Sequence, residues 1–272
     1  MGDVPARRKG TSMPLWLYDL PNWLFGALII LGWILLGVLG HELFHRFFKP
    51  HFDESDKNLA MALLGVVATI NSLLLAFSAV SVWDSFNTAD QAVHGEASTI
   101  NQLAGDLAVF NTVEASVARV ELQFYAQTVV AEEWPAMREG RVSDNAWQRF
   151  DHTFLAVGRL QPATPREVAL MPEIWARANE LMKFRRERLD ASEGRVPGTL
   201  WNVVLLGTIL SILPTYVMGR TRFNRFAVAL LSLSMGLCFF FIAAMDRPFA
   251  GTESISSDPF VRTLQNMERW DR

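Results

Sequence analysis

Four apolar runs, almost free of charge and each near twenty residues long, constrain this chain more than any other feature. A bilayer core about 30 Å thick needs about 20 helical residues to cross it. In lipid only a helix or a closed barrel satisfies its own backbone. The first run extends from about Asn22 to Phe44 (NWLFGALIILGWILLGVLGHELF) and the second from about Leu59 to Trp83. The third is TLWNVVLLGTILSILPTYVMG, after Pro197-Gly198, and the fourth spans about Phe226 to Met245. The first is too long, and too poor in small-residue cleavage signals, for a signal peptide. Pro214 predicts a kink near the end of the third. Half of the 272 residues are hydrophobic and 19% are charged, which fits an integral membrane protein. The net charge of -3 and the lack of a long basic stretch leave no footprint for nucleic acid. The single cysteine, Cys238, can form no intramolecular disulfide.

The expected fold is all-α: a polytopic membrane protein with four transmembrane helices and a soluble helical bundle inserted between the second and third. The runs divide the chain into an N-terminal segment (1–21), a transmembrane hairpin (22–83), the soluble bundle (84–197), the third and fourth transmembrane helices (198–246) and an amphipathic tail (247–272). Beyond Trp83 apolar residues keep a three- and four-residue spacing without a break, so the second helix is expected to continue past its span. Three later segments, TVEASVARVELQF, SDNAWQRF and TPREVALM, each open on a Ser or Thr suited to cap a helix. Pro165 and Glu167 suit the first turn of the last of these.

Residues 41–51 read HELFHRFFKPH and contain H-E-x-x-H, the helical spelling in which His41 and His45 would hold zinc with Glu42 as general base. His51 stands where a metzincin places a third histidine, but Phe48 occupies a position where that class needs glycine. An intramembrane protease would take an aspartate ligand from a distant span, and the later spans hold no carboxylate before Asp246. The alternative is an interfacial helix end, with His, Phe, Arg and Lys at headgroup level. The reading adopted is no cofactor, no catalytic residues and no enzyme, with His41 and His45 as weak metal candidates.

In the second span Asn71, Ser78, Ser81 and Ser85 fall at i, i+7, i+10 and i+14, a stripe that could line an aqueous pore or hold helices together. Thr208, Ser211 and Thr215 form a second stripe on the third span, and neither span carries a charge. Ion-coupled carriers keep a titratable group inside the membrane, so its lack favours passive passage or no transport. CFFFIAAM on the fourth span offers a hydrophobic constriction or a lipid-facing surface. Glu132 and Glu133 are adjacent, and so about 100° apart on a helix, which suits a solvated helix end better than a hydrolytic pair. Arg185, Arg186 and Arg188 close a helix whose C-terminal dipole, or a lipid surface, they would complement.

Four separated segments carry a family resemblance: LLLAFSAVSVWDSFNTADQAVHGEAS, YAQTVVAEEWPAM, NELMKFRRERL, and DRPFAG with SSDPF. In these the chain resembles the bestrophin-like domain family of bacterial membrane proteins, a family of unknown function. Its name reflects a likeness to bestrophins, which are oligomeric anion channels. The resemblance therefore implies a homo-oligomer in a lipid bilayer with inorganic ions as possible cargo. Glu96 and Asn101 match the family's pattern after the second span, and Glu96 would tune ion entry if that helix extends a pore.

The short turns carry Arg46, Lys49 and Lys57, then Arg220, Arg222 and Arg225; the opposite side holds Arg7, Arg8, Lys9 and the arginines near 185. Charge next to short loops decides orientation, so the turns are expected in the cytoplasm and the bundle outside it, in a cell inner membrane. Bestrophins proper hold their large domain in the cytosol, the opposite assignment. The functions expected are a passive channel-like protein with pore candidates Asn71, Ser78, Ser81, Ser85 and Glu96, or a non-transporting interaction or sensing module. A membrane zinc metalloprotease comes third.

Overall fold

The computed structural model describes residues 15–48, 51–110, 112–193 and 197–270. Most of the N-terminal segment, with Arg7, Arg8 and Lys9, lies outside the described residues, as do Lys49 and Pro50. Every regular element described is helical. In chain order they are α1 (Asn22–Phe48), α2 (Glu54–Phe110), α3 (Val113–Thr128), α4 (Trp134–Arg138), α5 (Asp144–Gly158), α6 (Pro165–Glu193), α7 (Gly198–Ile212), α8 (Arg222–Met245) and α9 (Asp258–Trp270). Among the described residues four helices are long and apolar enough to cross a membrane: α1, α2, α7 with its 3-10 extension to Val217, and α8. Pro214 sits in that extension, where α7 tightens at Leu213 and ends.

The chain forms two compact units. One holds α1, the first part of α2 up to Asp84, α7 and α8, with residues 251–253. Within it α1 and α8 run antiparallel in close contact, because glycines face the partner helix at several levels. A Cβ at Gly236 would sit 3.0 Å from the Ile30 Cα, and one at Gly37 would collide with the Ser232 hydroxyl. Small residues let two backbones approach where lipid offers no hydrophobic drive for association. Phe25, Leu75, Val82, Trp201, Val204 and Phe239 fill the core of this unit.

The second unit holds the rest of α2, α3 to α6, residues 247–250 and α9. Its helices start at the residues whose side chains suit caps. Thr112 Oγ1 accepts from Ala115 N–H at 3.2 Å, and Ser143 Oγ from Ala146 N–H at 3.3 Å. Thr164 and Glu167 close a reciprocal box: Glu167 N–H donates to the Thr164 hydroxyl (3.2 Å), and the Glu167 carboxylate accepts from Thr164 N–H (3.3 Å). Between α3 and α4 the helix widens into a five-residue π turn, Val129–Glu133. Pro135 has no N–H to give, and its ring would meet the carbonyl four residues back, so a wider turn at this point relieves the clash.

The 57 residues of α2 form one uninterrupted helix, about 85 Å long at 1.5 Å per residue and so more than twice the bilayer core. It opens on a mutual cap, with Asp56 N–H donating to Asp53 Oδ1 (2.8 Å) and Asp53 N–H to Asp56 Oδ2 (3.2 Å).

Replacing Gly236 by leucine forces apart the α1–α8 crossing and is expected to cost about 1–3 kcal/mol. Thermal unfolding in detergent reads this directly. Gly32→Leu on α1 is the control, since nothing lies within 4 Å of a Cβ at Gly32 and its midpoint should hold.

Candidate functional site

The most unusual chemistry in the chain is a set of four charges and a phenol with no solvent exposure, all in the second unit. Arg188, on α6, gives Nε to Glu96 Oε2 at 2.6 Å, Nη2 to Glu96 Oε1 at 3.1 Å and Nη2 to Glu133 Oε2 at 2.8 Å. Arg185, one turn earlier, meets Glu133 in a two-pronged pair, Nη1 to Oε2 at 2.8 Å and Nη2 to Oε1 at 2.9 Å. Its Nη1 also donates to the Tyr125 hydroxyl at 3.0 Å, and that hydroxyl in turn donates to Glu96. All four charged side chains are 0% exposed. The charges cancel, two against two.

Aromatic faces close the set off from water. The Arg185 guanidinium lies 4.6 Å from the Trp147 ring centroid and 5.2 Å from that of Tyr125; Arg188 lies 5.7 Å from Trp134 and 5.6 Å from Phe260. Burial works against the charge on Arg188, but the Glu96 and Glu133 carboxylates outweigh it and hold its pKa well above the usual arginine range. Arg185 is raised in the same way, against burial, by Tyr125 and Glu133. Burial, with Glu96 beside it, pushes the Tyr125 phenol above its ordinary value.

These positions correct two sequence expectations. Glu133 is buried rather than at a solvated helix end, because the π turn aims it inward while Glu132, next to it, stays exposed and accepts from Asn145 at 2.8 Å. Arg185 and Arg188 are buried in pairs with carboxylates, and only Arg186 of that trio faces solvent. The spacing held a signal: Ile174, Ala178 and Leu181 are buried on α6, and Arg185 and Arg188 continue the same three- and four-residue series.

Along α2 and α7 the sequence-predicted residues separate. Asn71 is 2% exposed, and its Nδ2 donates to Thr208 Oγ1 on α7 at 3.3 Å; Ser78, also buried, donates to the Leu74 carbonyl at 2.8 Å. Ser81 and Ser85 are exposed. Glu96 belongs to the buried set, and Asn101 is part-buried nearby on α2. Thr208 and Ser211 are fully buried, so the two polar stripes meet at Asn71 and Thr208 inside the membrane-type unit. Two hydroxyls that sequence reasoning passed over are exposed on α2: Thr69 donates to the Gly65 carbonyl at 2.7 Å and Ser72 to the Thr69 carbonyl at 2.8 Å. Gly65, Thr69, Ser72 and Ala76 recur every three or four residues and share one uncovered flank; Val66, Ile70 and Phe77 share another.

At the turn end of this unit, His41 Nε2 and His45 Nε2 lie 3.0 and 2.8 Å from the same Met218 carbonyl oxygen. Each is therefore a donor at Nε2, which removes the lone pair that a metal would use there. Glu42 pairs with Arg220 and lies 3.7 Å from Arg225, and no group of three or more metal-ligating side chains forms among the described residues. The HELFH residues thus tie α1 to the residues after α7 and into α8.

The bestrophin-like domain is matched over residues 31–260. A point-mutant crystal structure of a bacterial bestrophin homologue from Klebsiella pneumoniae is 12% identical, covers 89% of this chain and 98% of its own, and superposes with a TM-score of 0.69. A second structure of a Klebsiella pneumoniae homologue, phased on zinc, is 11% identical over 91% and 97% of the two chains, with a TM-score of 0.66. A further crystal structure of a membrane protein is 12% identical over 92% and 98%, TM-score 0.64. No curated protein matches the sequence.

Truncating one member of the buried set leaves the others uncompensated. Glu96→Ala or Arg188→Ala is expected to cost about 3–5 kcal/mol, measured by chemical denaturation in detergent. The raised Tyr125 pKa sets an alkaline limit. Its contribution is fully present below the unfolded phenol's pKa of about 10 and is lost as pH rises towards the folded value. Stability measured from pH 8 to 11 should therefore fall above about pH 10, and Tyr125→Phe should flatten that fall.

Proposed function

This chain belongs to the bestrophin-like domain family, and from that premise we propose a homo-oligomeric, channel-like membrane protein that passes ions passively along an axis walled by α2. The observation that carries the proposal is the uncovered hydroxyl flank of α2. Gly65, Thr69, Ser72 and Ala76 lie on a span, yet among the described residues no other helix covers them. Facing hydrocarbon, such a flank gains nothing over the apolar flank of Val66, Ile70 and Phe77; facing a wet axis, its hydroxyl oxygens replace part of an ion's hydration. The apolar flank then faces lipid or a neighbouring copy.

In this reading Asn71 and Ser78 seat α2 against its own subunit, and Ser81 and Ser85, exposed on a different flank, make the competing wall. Glu96 shapes the subunit rather than the ion path, because both its oxygens are taken by Arg188 and Tyr125. The second unit acts as the inserted soluble bundle. The dense arginines of the short turns support a cytoplasmic position for the turns and an extracytoplasmic one for the bundle, in an inner membrane.

Ion flux in liposomes reconstituted with purified protein tests the proposal. Thr69→Leu with Ser72→Leu should lower flux at least tenfold with oligomer mass unchanged, whereas Ser81→Leu should leave it near wild type. Flux lost only with Ser81→Leu moves the wall to the other flank. Absence of flux from folded oligomer, for anions and cations at several voltages, rejects passage and leaves the interaction or sensing module.

A further inference from the structure

The turn end of α1 and α8 carries four arginines, two of which share one carboxylate. Arg46 stands one helical turn after Glu42 on α1, while Arg220, Arg222 and Arg225 lie at and just before the start of α8. Arg220 pairs with Glu42, and Arg225 Nη1 lies 3.7 Å from the other oxygen of the same carboxylate. Glu42 therefore serves two arginines, and Arg46 and Arg222, both exposed, form no ion pair among the described residues.

Phenylalanines are interleaved with these charges, in the order Arg46-Phe47-Phe48 and Arg222-Phe223-Asn224-Arg225-Phe226. Phe47, Phe48, Phe223 and Phe226 are 75, 74, 76 and 65% exposed. A basic helix end alone would be satisfied by water. Four phenylalanines left at that exposure would not, since each is a large apolar surface that water penalises. The pair of features requires a medium that is anionic at one depth and apolar one or two residues away. Arginine suits that anion, because its planar fork binds phosphate oxygens two at a time.

We propose that this arginine–phenylalanine cluster is a binding site for the phosphate headgroup of an anionic phospholipid, with Arg46 and Arg222 on the phosphate and the flanking phenylalanines against its acyl chains. Glu42 holds Arg220 and Arg225 in place as the site's fixed wall. A free phosphate would meet the arginines but leave the rings uncovered, so the ligand is the lipid. The site rests on the reading of α1 and α8 as membrane spans.

Native mass spectrometry of the full chain in mild detergent tests it, with phosphatidylglycerol and phosphatidylcholine added in parallel. Wild type should retain phosphatidylglycerol in preference to phosphatidylcholine, and Arg46→Gln with Arg222→Gln should weaken that retention about ten- to thirtyfold. Arg46→Lys with Arg222→Lys keeps the charge and should recover part of it, which separates loss of the site from loss of the fold. Arg166→Gln with Arg186→Gln, exposed arginines of the other unit, should behave as wild type. Equal retention of both lipids, an unchanged glutamine variant, or full displacement by millimolar inorganic phosphate each overturns the proposal. Recovery of the protein from the membrane fraction without detergent would instead defeat the spanning reading on which it stands.

Discussion

A buried arginine is tolerable when its charge is paired in place, and in this protein two arginines impose that condition on most of the second unit. Matching Arg185 and Arg188 takes Glu96 from α2, Tyr125 from α3, Glu133 from the π turn and aromatic faces from α4, α5 and α9. The apolar core around them, including Leu103, Leu122, Ile174 and Leu181, is permissive by comparison, because many hydrophobic side chains could fill the same volume. An ion set of this kind adds little net stability over well-packed hydrophobic residues. Its effect is on specificity: few other arrangements of these helices would pair both arginines with both carboxylates and seat the Tyr125 hydroxyl between Arg185 and Glu96 at once.

The membrane-type unit obeys a different constraint. Its helices have no water to escape from, so closeness has to come from shape. Gly37 and Gly236 supply it between α1 and α8, and the Asn71–Thr208 hydrogen bond between α2 and α7 adds direction at a depth where a lone amide would be costly. The H-E-x-x-H spelling belongs to the same logic. Two imidazoles share the Met218 carbonyl and Glu42 holds two arginines, so residues that suggest metal chemistry in sequence act as fasteners in space.

The four apolar spans, the unbroken second helix and the caps at Thr112, Ser143 and Thr164 were all legible in the sequence, because hydropathy, periodicity and capping are local. The family was legible as well, from motifs spread over four segments. Partners were not. Glu132 and Glu133 look alike in sequence, and only a departure from regular helix geometry decides which turns inward. Asn71 and Ser78 do share a face with each other, but a period says nothing about what that face meets. Thr69 and Ser72 went unremarked because hydroxyls bonded to their own backbone look inert until the helix is seen to be uncovered.

The position of α9 has a consequence for how the molecule comes to exist. Phe260 covers Arg188, and Thr263 donates to the Ala97 carbonyl at 3.1 Å, yet α9 comes later in the chain than every helix that supplies the buried charges. Synthesis is vectorial, and the earlier parts of a chain are made first. Glu96, Glu133 and the two arginines therefore gain the cover of α9 only after the helices that carry them have been made. Without α9 Arg188 would keep Trp134 and lose Phe260, so the absence of one short helix would be felt at the centre of the unit rather than at its edge.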